Sequence, residues 1–465
     1  MKNKIIEKVE IIDVAKKGMS IAKHNSLTIF IRGGVPGDIC DIKIFKKRKK
    51  YLEGIITKLH KHSIHKCVPK CEHFGVCGGC KWQNIKYPSQ LKFKEKEVFE
   101  NLKRIGKLED FKVQKIIESK DKFYYRNKME FSYTQNRWLT KEEIDSKKDF
   151  LERRGCGLHI PSMFDKVLHI NHCHLQKEPS NEIRNSIHEF SIQNNIEYYN
   201  IRKQTGLLRN LMIRSSSKKD LMVLVQFGMN DSNRIDSVMN FIKVKFPQIT
   251  SLLYTINTKA NNTIYDQNII CFYGKKYITE SLENLNFKIG PKSFFQTNIN
   301  QTKILYKKAR EIADIKKTNI VYDLYTGTGT IAQFISKNAK KVVGIDTVRE
   351  AIDAAKKSTK ENKIKNCHFF HGEMRKILTE TFLKENGRPN IIISDPPRDG
   401  MHPKVIEMLL KVKADKIVYI SCNSSTQARD IELLNKSYKV RYIQPIDMFP
   451  QTHHVENIIL LETII

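Results

Sequence analysis

The chain lacks any apolar run long enough to cross a membrane. Its first seven residues, from Met1 to Glu7, reach charged side chains without passing through the apolar stretch of a secretory signal. These two absences predict a cytoplasmic protein with no membrane partner, and nothing in the sequence indicates a protein partner. A reducing compartment does not maintain a disulfide framework, so those of the ten cysteines that cluster are candidates for metal binding or catalysis.

Acidic residues are scarce relative to basic ones. The 465 residues include 50 Asp and Glu against 82 Lys and Arg, which gives a formal net charge of +32. A genome that favours Lys, Ile and Asn explains part of the lysine excess, but such a genome can balance Lys with Glu. The charge therefore favours a polyanionic partner, and it does not distinguish RNA from DNA.

The length predicts more than one domain. Residues 1–62 alternate short strands with turns, which is typical of a small OB-type β-barrel that binds nucleic acid. The basic run 46–50 in this segment is either an RNA contact or a solvated loop. Residues 63–285 predict a mixed, strand-rich central domain. Residues 286–465 alternate helices with apolar strands, which predicts a doubly wound parallel α/β sheet.

Two apolar strands of that sheet end in reactive side chains. One runs into Asp395 of an Asp-Pro-Pro-Arg sequence, and the next ends at Cys422. Ligands of open α/β sheets bind beyond the carboxyl ends of the strands. A cysteine often only fills space in a core, but the polar residues that follow Cys422 predict an accessible loop and favour a nucleophile. A thiol beside a stiff Asp-Pro-Pro loop suggests an enzyme that holds a flat ring against a methyl donor.

A glycine loop and a C-terminal turn supply further candidate groups. Tyr325 precedes the loop Thr-Gly-Thr-Gly-Thr, and Asp346 ends the next strand, where a carboxylate can accept hydrogen bonds from a ribose. The loop alone fits a nicotinamide cofactor or S-adenosylmethionine. The second is favoured, because a dehydrogenase gives no reason for the Asp-Pro-Pro loop and the thiol. Glu456 follows two histidines, and it is either part of a solvated turn or a base.

Three cysteines lie within ten residues, at positions 71, 77 and 80, with two glycines before the last. This spacing is typical of a metal site, although a Cys-Gly-Gly-Cys pair on its own would also suit a dithiol redox motif. Cys173 is the predicted fourth ligand, with Cys67 and Cys156 as reserves. Thiolates bind both zinc and iron–sulfur clusters, so the spacing does not select the metal.

Taken together, these motifs resemble the iron–sulfur-bearing RNA uridine-5-methyltransferases nearly end to end. The first 60 residues resemble the TRAM domain, an RNA-binding OB barrel. Residues 71–83 resemble the family's cluster motif, and residues 294–298 resemble its cofactor-contacting Phe-Phe-Gln segment. Residues 421–423 and 454–456 match the family's nucleophile and base motifs.

The resemblance assigns roles to individual residues. It implies a C-terminal class I methyltransferase sheet that methylates C5 of a uridine in RNA, with 23S ribosomal RNA as the expected partner. It implies Cys422 as nucleophile and Glu456 as base. The implied S-adenosylmethionine contacts are Gln296, Tyr325, Asp346 and Asp395. The implied ligands of a [4Fe–4S] cluster are Cys71, Cys77, Cys80 and Cys173. In the family, the helix after the cluster packs on the methyltransferase domain, so residues 83–112 are expected there in space.

Three positions depart from the family pattern, and three alternatives stay open. Ser424 replaces a proline and predicts a more mobile loop, Asp346 replaces a longer glutamate, and Thr326 stands where Cys or Ser is common. The first alternative is an RNA cytosine-5 methyltransferase, which usually has a second cysteine where Arg398 stands. The others are a tRNA uridine-5 methyltransferase and a non-catalytic RNA-binding iron–sulfur protein.

Overall fold

A computed structural model describes residues 4–15 and 18–464. The N-terminal strands are β1 Ile5–Val14, β2 Ser20–His24, β3 Leu27–Arg32, β4 Ile39–Lys47 and β5 Tyr51–Lys61. They form a closed barrel in the order β1-β2-β3-β5-β4, which is the predicted barrel with β2 as an additional strand. Alternate isoleucines such as Ile29, Ile31, Ile42 and Ile44 fill its interior, because successive strand side chains point to opposite faces.

The middle of the chain forms a mixed seven-stranded sheet. Its elements are α1 Tyr87–Arg104, β6 Lys128–Thr134, α2 Lys141–Asp145, β7 Gly155–His159, β8 Val167–His169, α3 Ser180–Gln193, β9 Leu208–Ser215, β10 Leu221–Phe227, α4 Ser232–Lys245, β11 Ser251–Ile256 and β12 Ile270–Gly274. The strand order is β12-β11-β10-β9-β6-β7-β8. Helices α3 and α4 pack on one face, where Ile187 and Val238 share a core with Val223.

The C-terminal part contains a second seven-stranded sheet. Its elements are β13 Ile278–Leu282, β14 Leu285–Ile289, α5 Ile299–Ala313, β15 Ile320–Leu324, α6 Thr330–Ile335, a 3-10 turn Ser336–Asn338, β16 Lys341–Asp346, α7 Arg349–Glu361, β17 Cys367–His371, α8 Met374–Ile377, α9 Glu380–Asn386, β18 Ile391–Ser394, α10 Pro403–Val412, β19 Lys416–Ser421, α11 Ser424–Leu434, β20 Tyr438–Ile446 and β21 Glu456–Thr463. Strands β13 and β14 pair as a separate hairpin.

The order of this sheet is β17-β16-β15-β18-β19-β21-β20, with the first five strands parallel and β21 antiparallel to β19. Each central strand is apolar on both faces. Val321 and Val418 join the core on one side, whereas Tyr322 and Tyr419 join the core on the other. This is the expected signature of a sheet covered by helices on both faces. The predicted α/β class is confirmed.

Helix α1 precedes the central sheet in sequence but packs on the C-terminal part. Its Val98 and Leu102 share a hydrophobic cluster with Ala428 and Ile431 of α11. The helix begins with Pro88 in its first turn, where a missing N–H costs nothing. Among residues 4–15 and 18–464, no helix combines the length and apolar character needed to cross a bilayer. The ends of the predicted domain ranges at residues 1–3 and 465 lie outside the described residues.

Candidate active site and cysteine cavity

Four of the residues predicted from separate motifs meet at the carboxyl edge of the C-terminal sheet. Tyr325 follows β15, Asp346 ends β16, Asp395 follows β18 and Cys422 follows β19. These strands are adjacent and parallel in the order β16-β15-β18-β19. Their carboxyl ends therefore open onto one crevice, as in other open α/β sheets.

Glu456 reaches the same edge from the opposite chain direction. It is the first residue of β21, and its neighbour Asn457 is paired with Ser421 of β19. Because β21 is antiparallel to β19, its start lies beside the end of β19. Glu456 and Cys422 are therefore close neighbours, although 34 positions separate 422 from 456 in the sequence.

Glu456 affects the protonation of Cys422, and Arg398 affects that of both groups. Burial and the nearby Glu456 carboxyl raise the pKa of the Cys422 thiol to about 11, and Arg398 opposes the shift by hydrogen bonding to the thiol and by its charge. Burial and the negative charge of Asp395 raise the pKa of Glu456 well above its usual value, and Arg398 again opposes the shift. In the sequence analysis, Arg398 was noted only because it stands where RNA cytosine-5 methyltransferases usually have a second cysteine. Its place directly after Asp-Pro-Pro could have identified it as a site residue.

The histidines before Glu456 are the other candidate bases. Burial and neighbouring positive groups lower the pKa of His453 to about 3 and that of His454 to about 4. An imidazole with so low a pKa is neutral near pH 7 and a poor proton acceptor. The carboxyl of Glu456, whose pKa moves upward, is the stronger base of the three.

The residues after Cys422 form a helix start and not the expected mobile loop. Asn423 caps α11, its side chain accepting a hydrogen bond from the N–H of Ser425. Ser424 is 1% exposed, and its hydroxyl accepts a bond of 2.7 Å from Asn101 of α1. The expectation of a loop at Ser424 is therefore wrong, because the helix start and Asn101 both hold this residue, whereas the added mobility stays a prediction. The positive end of α11 next to Cys422 favours the thiolate.

The glycine loop takes backbone conformations that ordinary residues avoid. Tyr325, Gly327 and Gly329 have φ angles of 61°, 54° and 73°. A Cβ on Gly329 would lie 2.7 Å from the Phe369 ring, whereas a Cβ on Gly327 would meet nothing within 4 Å. Gly329 is thus required for packing, and Gly327 leaves open space beside the loop.

Two carboxylates hold this loop. Asp346 accepts hydrogen bonds from the N–H groups of Gly327, at 2.8 Å, and Val348, at 2.9 Å. Buried Asp323 accepts from the Thr326 hydroxyl, at 2.5 Å, through Oδ2, and its Oδ1 has no hydrogen-bond partner among the described residues. Asp323 was missed as a site residue, although it is the last residue but one of the strand before the loop. Burial raises its pKa to about 7.

The segment that carries Gln296 lies beside the glycine loop. Ser293 and Phe294 line one small cavity together with Thr328 of the loop. The carbonyl oxygen of Gln296 accepts a bond of 3.1 Å from Asn127, the residue before β6 of the central sheet. The role of Gln296 as a cofactor contact stays a prediction.

Four cysteines line a second cavity, at the boundary of the central sheet. The cavity is lined by Cys71, Cys77, Cys80 and Cys173. The N–H of Gly79 donates a bond of 3.3 Å to the Cys77 sulfur. A Cβ on Gly78 would lie 2.3 Å from the carbonyl oxygen of His159, so only glycine allows this close wrap.

The two reserve cysteines lie elsewhere. Cys67 donates to the carbonyl oxygen of Gln83 at 3.4 Å, and Cys156 is fully buried in the core of the central sheet. Neither lines the cavity that contains Cys173. Within the described residues, no three His, Cys, Asp or Glu side chains are arranged to hold a single metal ion.

Comparisons with known proteins agree with this architecture. Residues 265–464 match the family described as tRNA (Uracil-5-)-methyltransferase, and residues 5–57 match the TRAM domain. A protein named as an RNA methyltransferase in Bacteroides thetaiotaomicron is 47% identical, over 97% of this chain and 100% of its own length. One in Porphyromonas gingivalis is 46% identical, over 97% of this chain and 99% of its own length.

The chain is therefore a TRAM-containing methyltransferase-fold protein, and it belongs to the RNA methyltransferase family of these relatives. A solved structure covers almost the whole chain. The tRNA (uracil-54, C5)-methyltransferase of Pyrococcus abyssi, in complex with S-adenosyl-L-homocysteine, has a TM-score of 0.75 at 25% identity and covers 97% of this chain and 100% of that one. The predicted family and fold are confirmed.

Proposed function

We propose that the protein methylates C5 of a uridine in RNA with S-adenosylmethionine. The observation that carries this is the pair Cys422 and Glu456 on neighbouring strand ends. C5 of uracil is a poor nucleophile, and a thiol that adds to C6 activates it. A raised pKa fits Glu456 to accept the proton that C5 must lose. Amino-group methylation would need no thiol at this place.

The crevice suits S-adenosylmethionine, whose bound sulfonium supplies the methyl group. Gly327 leaves open space for the nucleoside, and Asp346 at the next strand end would accept hydrogen bonds from its ribose while it holds the loop. Gln296 and Asp395 would bind the remainder of the cofactor, with Tyr325 beside them. Burial raises the pKa of Asp395 to about 7, so a cationic group nearby would stabilise its charged form.

In the proposed reaction the thiolate of Cys422 forms a bond to C6 of uracil, and the electron pair of the C5–C6 double bond moves to C5 and to the oxygen of the adjacent C4 carbonyl. C5 then takes the methyl group from the sulfonium of S-adenosylmethionine. The carbon–sulfur bond to that methyl group breaks and S-adenosylhomocysteine is left, so that C5 carries both methyl and hydrogen. Glu456 removes that hydrogen as a proton, the electron pair forms the C5–C6 double bond, and the bond from C6 to sulfur breaks. Arg398 contributes by favouring the thiolate. The target base must leave its stack to reach this crevice.

The cysteine cavity suits a [4Fe–4S] cluster bound to Cys71, Cys77, Cys80 and Cys173. All four thiols line one cavity, a donor set typical of such clusters. The bond from the Gly79 N–H to the Cys77 sulfur is of the kind that stabilises a cluster thiolate. The cluster would join the segment after residue 70 to the segment around 173.

Anaerobically purified protein should contain about four irons per chain. Cys173→Ser should lose the iron, because it removes one of four cavity thiols, whereas Cys67→Ser and Cys156→Ala should keep it. Iron and sulfide analysis with visible absorption measures this. One tightly held zinc in place of iron contradicts the assignment, and so does loss of iron in Cys156→Ala but not in Cys173→Ser.

We favour 23S ribosomal RNA as the substrate because of the TRAM barrel and the cysteine motif. Transfer RNA is the second candidate, because the similar Pyrococcus abyssi structure is that of a tRNA methyltransferase. Mapping of 5-methyluridine in RNA from a deletion strain tests both. Loss from 23S RNA supports the first and loss from tRNA the second, whereas loss of 5-methylcytidine alone contradicts the uridine reaction.

The barrel should contribute RNA affinity through its charged hairpin. Lys49 and Lys50 are exposed at the turn between β4 and β5. Lys49→Glu/Lys50→Glu should weaken RNA binding and lower the slope of log affinity against log salt by about 1 to 2, since about one counterion is released per phosphate contact. Fluorescence anisotropy over a salt series measures both quantities.

The matched control is the exposed pair Lys218 and Lys219, at the hairpin between β9 and β10. Lys218→Glu/Lys219→Glu changes the net charge equally, so it reports the effect of charge alone. An equal loss of affinity in both variants would show that the barrel hairpin has no particular role.

A further inference from the structure

Residues 447–455, here called the base loop, join β20 to Glu456 at the start of β21. The loop is bound to the segment that follows the cysteine cavity. The carbonyl oxygen of Gln451 accepts two hydrogen bonds of 3.0 Å, from the N–H groups of Lys81 and Trp82. These are the first two residues after Cys80. Gln451 also has a φ of 65°, a conformation that a non-glycine residue keeps only when its surroundings hold it.

One buried side chain of α1 connects both segments. The Nε2 of Gln90 donates to Oε1 of Gln451 at 2.9 Å and to the carbonyl oxygen of Trp82 at 2.9 Å. The Oε1 of Gln90 accepts from the N–H of Gln451 at 3.0 Å. Gln90 is 0% exposed, so water cannot replace these bonds when they are lost.

The same face of α1 holds the beginning of the base loop. Lys94 forms an ion pair of 2.6 Å with Asp447, and both side chains are 0% exposed. The Tyr87 hydroxyl donates to the other oxygen of Asp447 at 2.8 Å. Positions 87, 90 and 94 follow the three- and four-residue spacing of one helix face. Lys94 also donates to the carbonyl oxygen of Phe449 at 3.2 Å.

We propose that Gln90 is a positioning residue for Glu456, and that it links the base loop mechanically to the cysteine cavity. The carbonyl oxygen of Gln451 is bonded to Lys81, the residue directly after Cys80. Gln451 also lies five residues before Glu456 in the chain. A shift of residues 81–82 therefore moves Gln451 and the start of β21 with it. Gln90 holds residues 81–82 and the base loop at a fixed position relative to each other. The inference rests on the proposed function, in which Glu456 removes the C5 proton.

The test is Gln90→Met, which keeps the length of the side chain and removes its hydrogen bonds. The variant should bind RNA and S-adenosylmethionine and form the covalent adduct at the wild-type rate, because Cys422 is on another strand. Release should be about 10- to 100-fold slower, since a misplacement of about 1 Å costs roughly that factor. Methylated RNA attached to Cys422 should therefore accumulate, as a band that survives denaturation.

Hydrogen exchange measured by mass spectrometry gives a second readout that does not depend on turnover. In Gln90→Met, exchange should be faster both in the peptide that contains Lys81 and Trp82 and in the base loop, because their amide hydrogens are bonded across the link. Tyr87→Phe, a milder change on the same helix face, should increase exchange in the same two peptides by a smaller amount. Faster exchange in only one of the two segments would overturn the link.

The control is Gln176→Met. Gln176 is 2% exposed and lies three residues after Cys173, and its side chain bonds only to Ile213 and Ser180 in the described hydrogen bonds. It should release product at the wild-type rate. Stalling in Gln176→Met as well, or normal release in Gln90→Met, overturns the positioning role. Failure of the wild type to form any adduct would instead contradict the proposed function.

Discussion

Cys422→Ala should bind RNA and S-adenosylmethionine and yet form no covalent adduct with RNA that contains 5-fluorouridine. The wild type should form the adduct, because fluorine at C5 cannot leave as a proton does and the bond between sulfur and C6 persists. Methylation of ordinary RNA should fall by at least about 10⁴-fold, as expected when a covalent nucleophile is removed. Gel electrophoresis under denaturing conditions and transfer of labelled methyl groups measure the two effects.

Cys271→Ala is the matched control, because this cysteine is also half-buried but lies on β12 of the central sheet. It should form the adduct normally. An adduct that persists in Cys422→Ala would assign the nucleophile to another group. If neither the wild type nor Cys271→Ala forms an adduct while methyl groups are still transferred, the addition mechanism itself is wrong.

Glu456→Gln should transfer the methyl group and then stall, which is the second large effect expected. An amide cannot take the C5 proton, so the bond from sulfur to C6 cannot break. Turnover should fall by about 10²- to 10⁴-fold, the usual contribution of a general base. Unlike Cys422→Ala, this variant should accumulate methylated RNA on Cys422, visible after denaturation and labelled from the methyl donor.

Glu462 lies at the far end of the same strand, β21, and forms an ion pair with Arg441. The control variant Glu462→Gln should turn over normally. His453→Asn and His454→Asn test the two neighbouring imidazoles. If either of them stalls as described while Glu456→Gln turns over at the wild-type rate, the base is the histidine. The low pKa values of both histidines argue against that outcome.

The C-terminal sheet could be predicted to a large extent because its central strands are mostly apolar and separated by clear breaks. Strands β15 and β18 are short, mostly apolar runs that Tyr325 and Asp395 directly follow, and this pattern needs no tertiary information. Strand β2 was missed, because the segment Ser20–His24 is short and half polar. The helix start at Ser424 was also missed, because serine after asparagine is as typical of a loop as of a capped helix.

The position of α1 depended on long-range contacts. Its apolar face is visible in the sequence, but the sequence does not say which surface it covers, and only the family resemblance suggested the C-terminal part. In the structure Leu102 packs against α11. In the sequence, the polar face of α1 that carries Gln90 and Lys94 is typical of a solvent-exposed surface. In the structure both side chains are buried against the base loop. Their partners lie more than 350 positions away.

The sequence by itself determined the chemistry that is available: a thiol and a carboxylate at strand ends, a glycine loop, three clustered cysteines and a large positive charge. Local patterns carry this information, because strand periodicity and turn residues act over a few positions. Only the tertiary structure decided which of these groups meet. Antiparallel pairing brings Glu456 beside Cys422, and packing brings Cys173, but neither Cys67 nor Cys156, into the cysteine cavity. Such contacts depend on the summed packing of whole sheets and helices, which no short segment encodes.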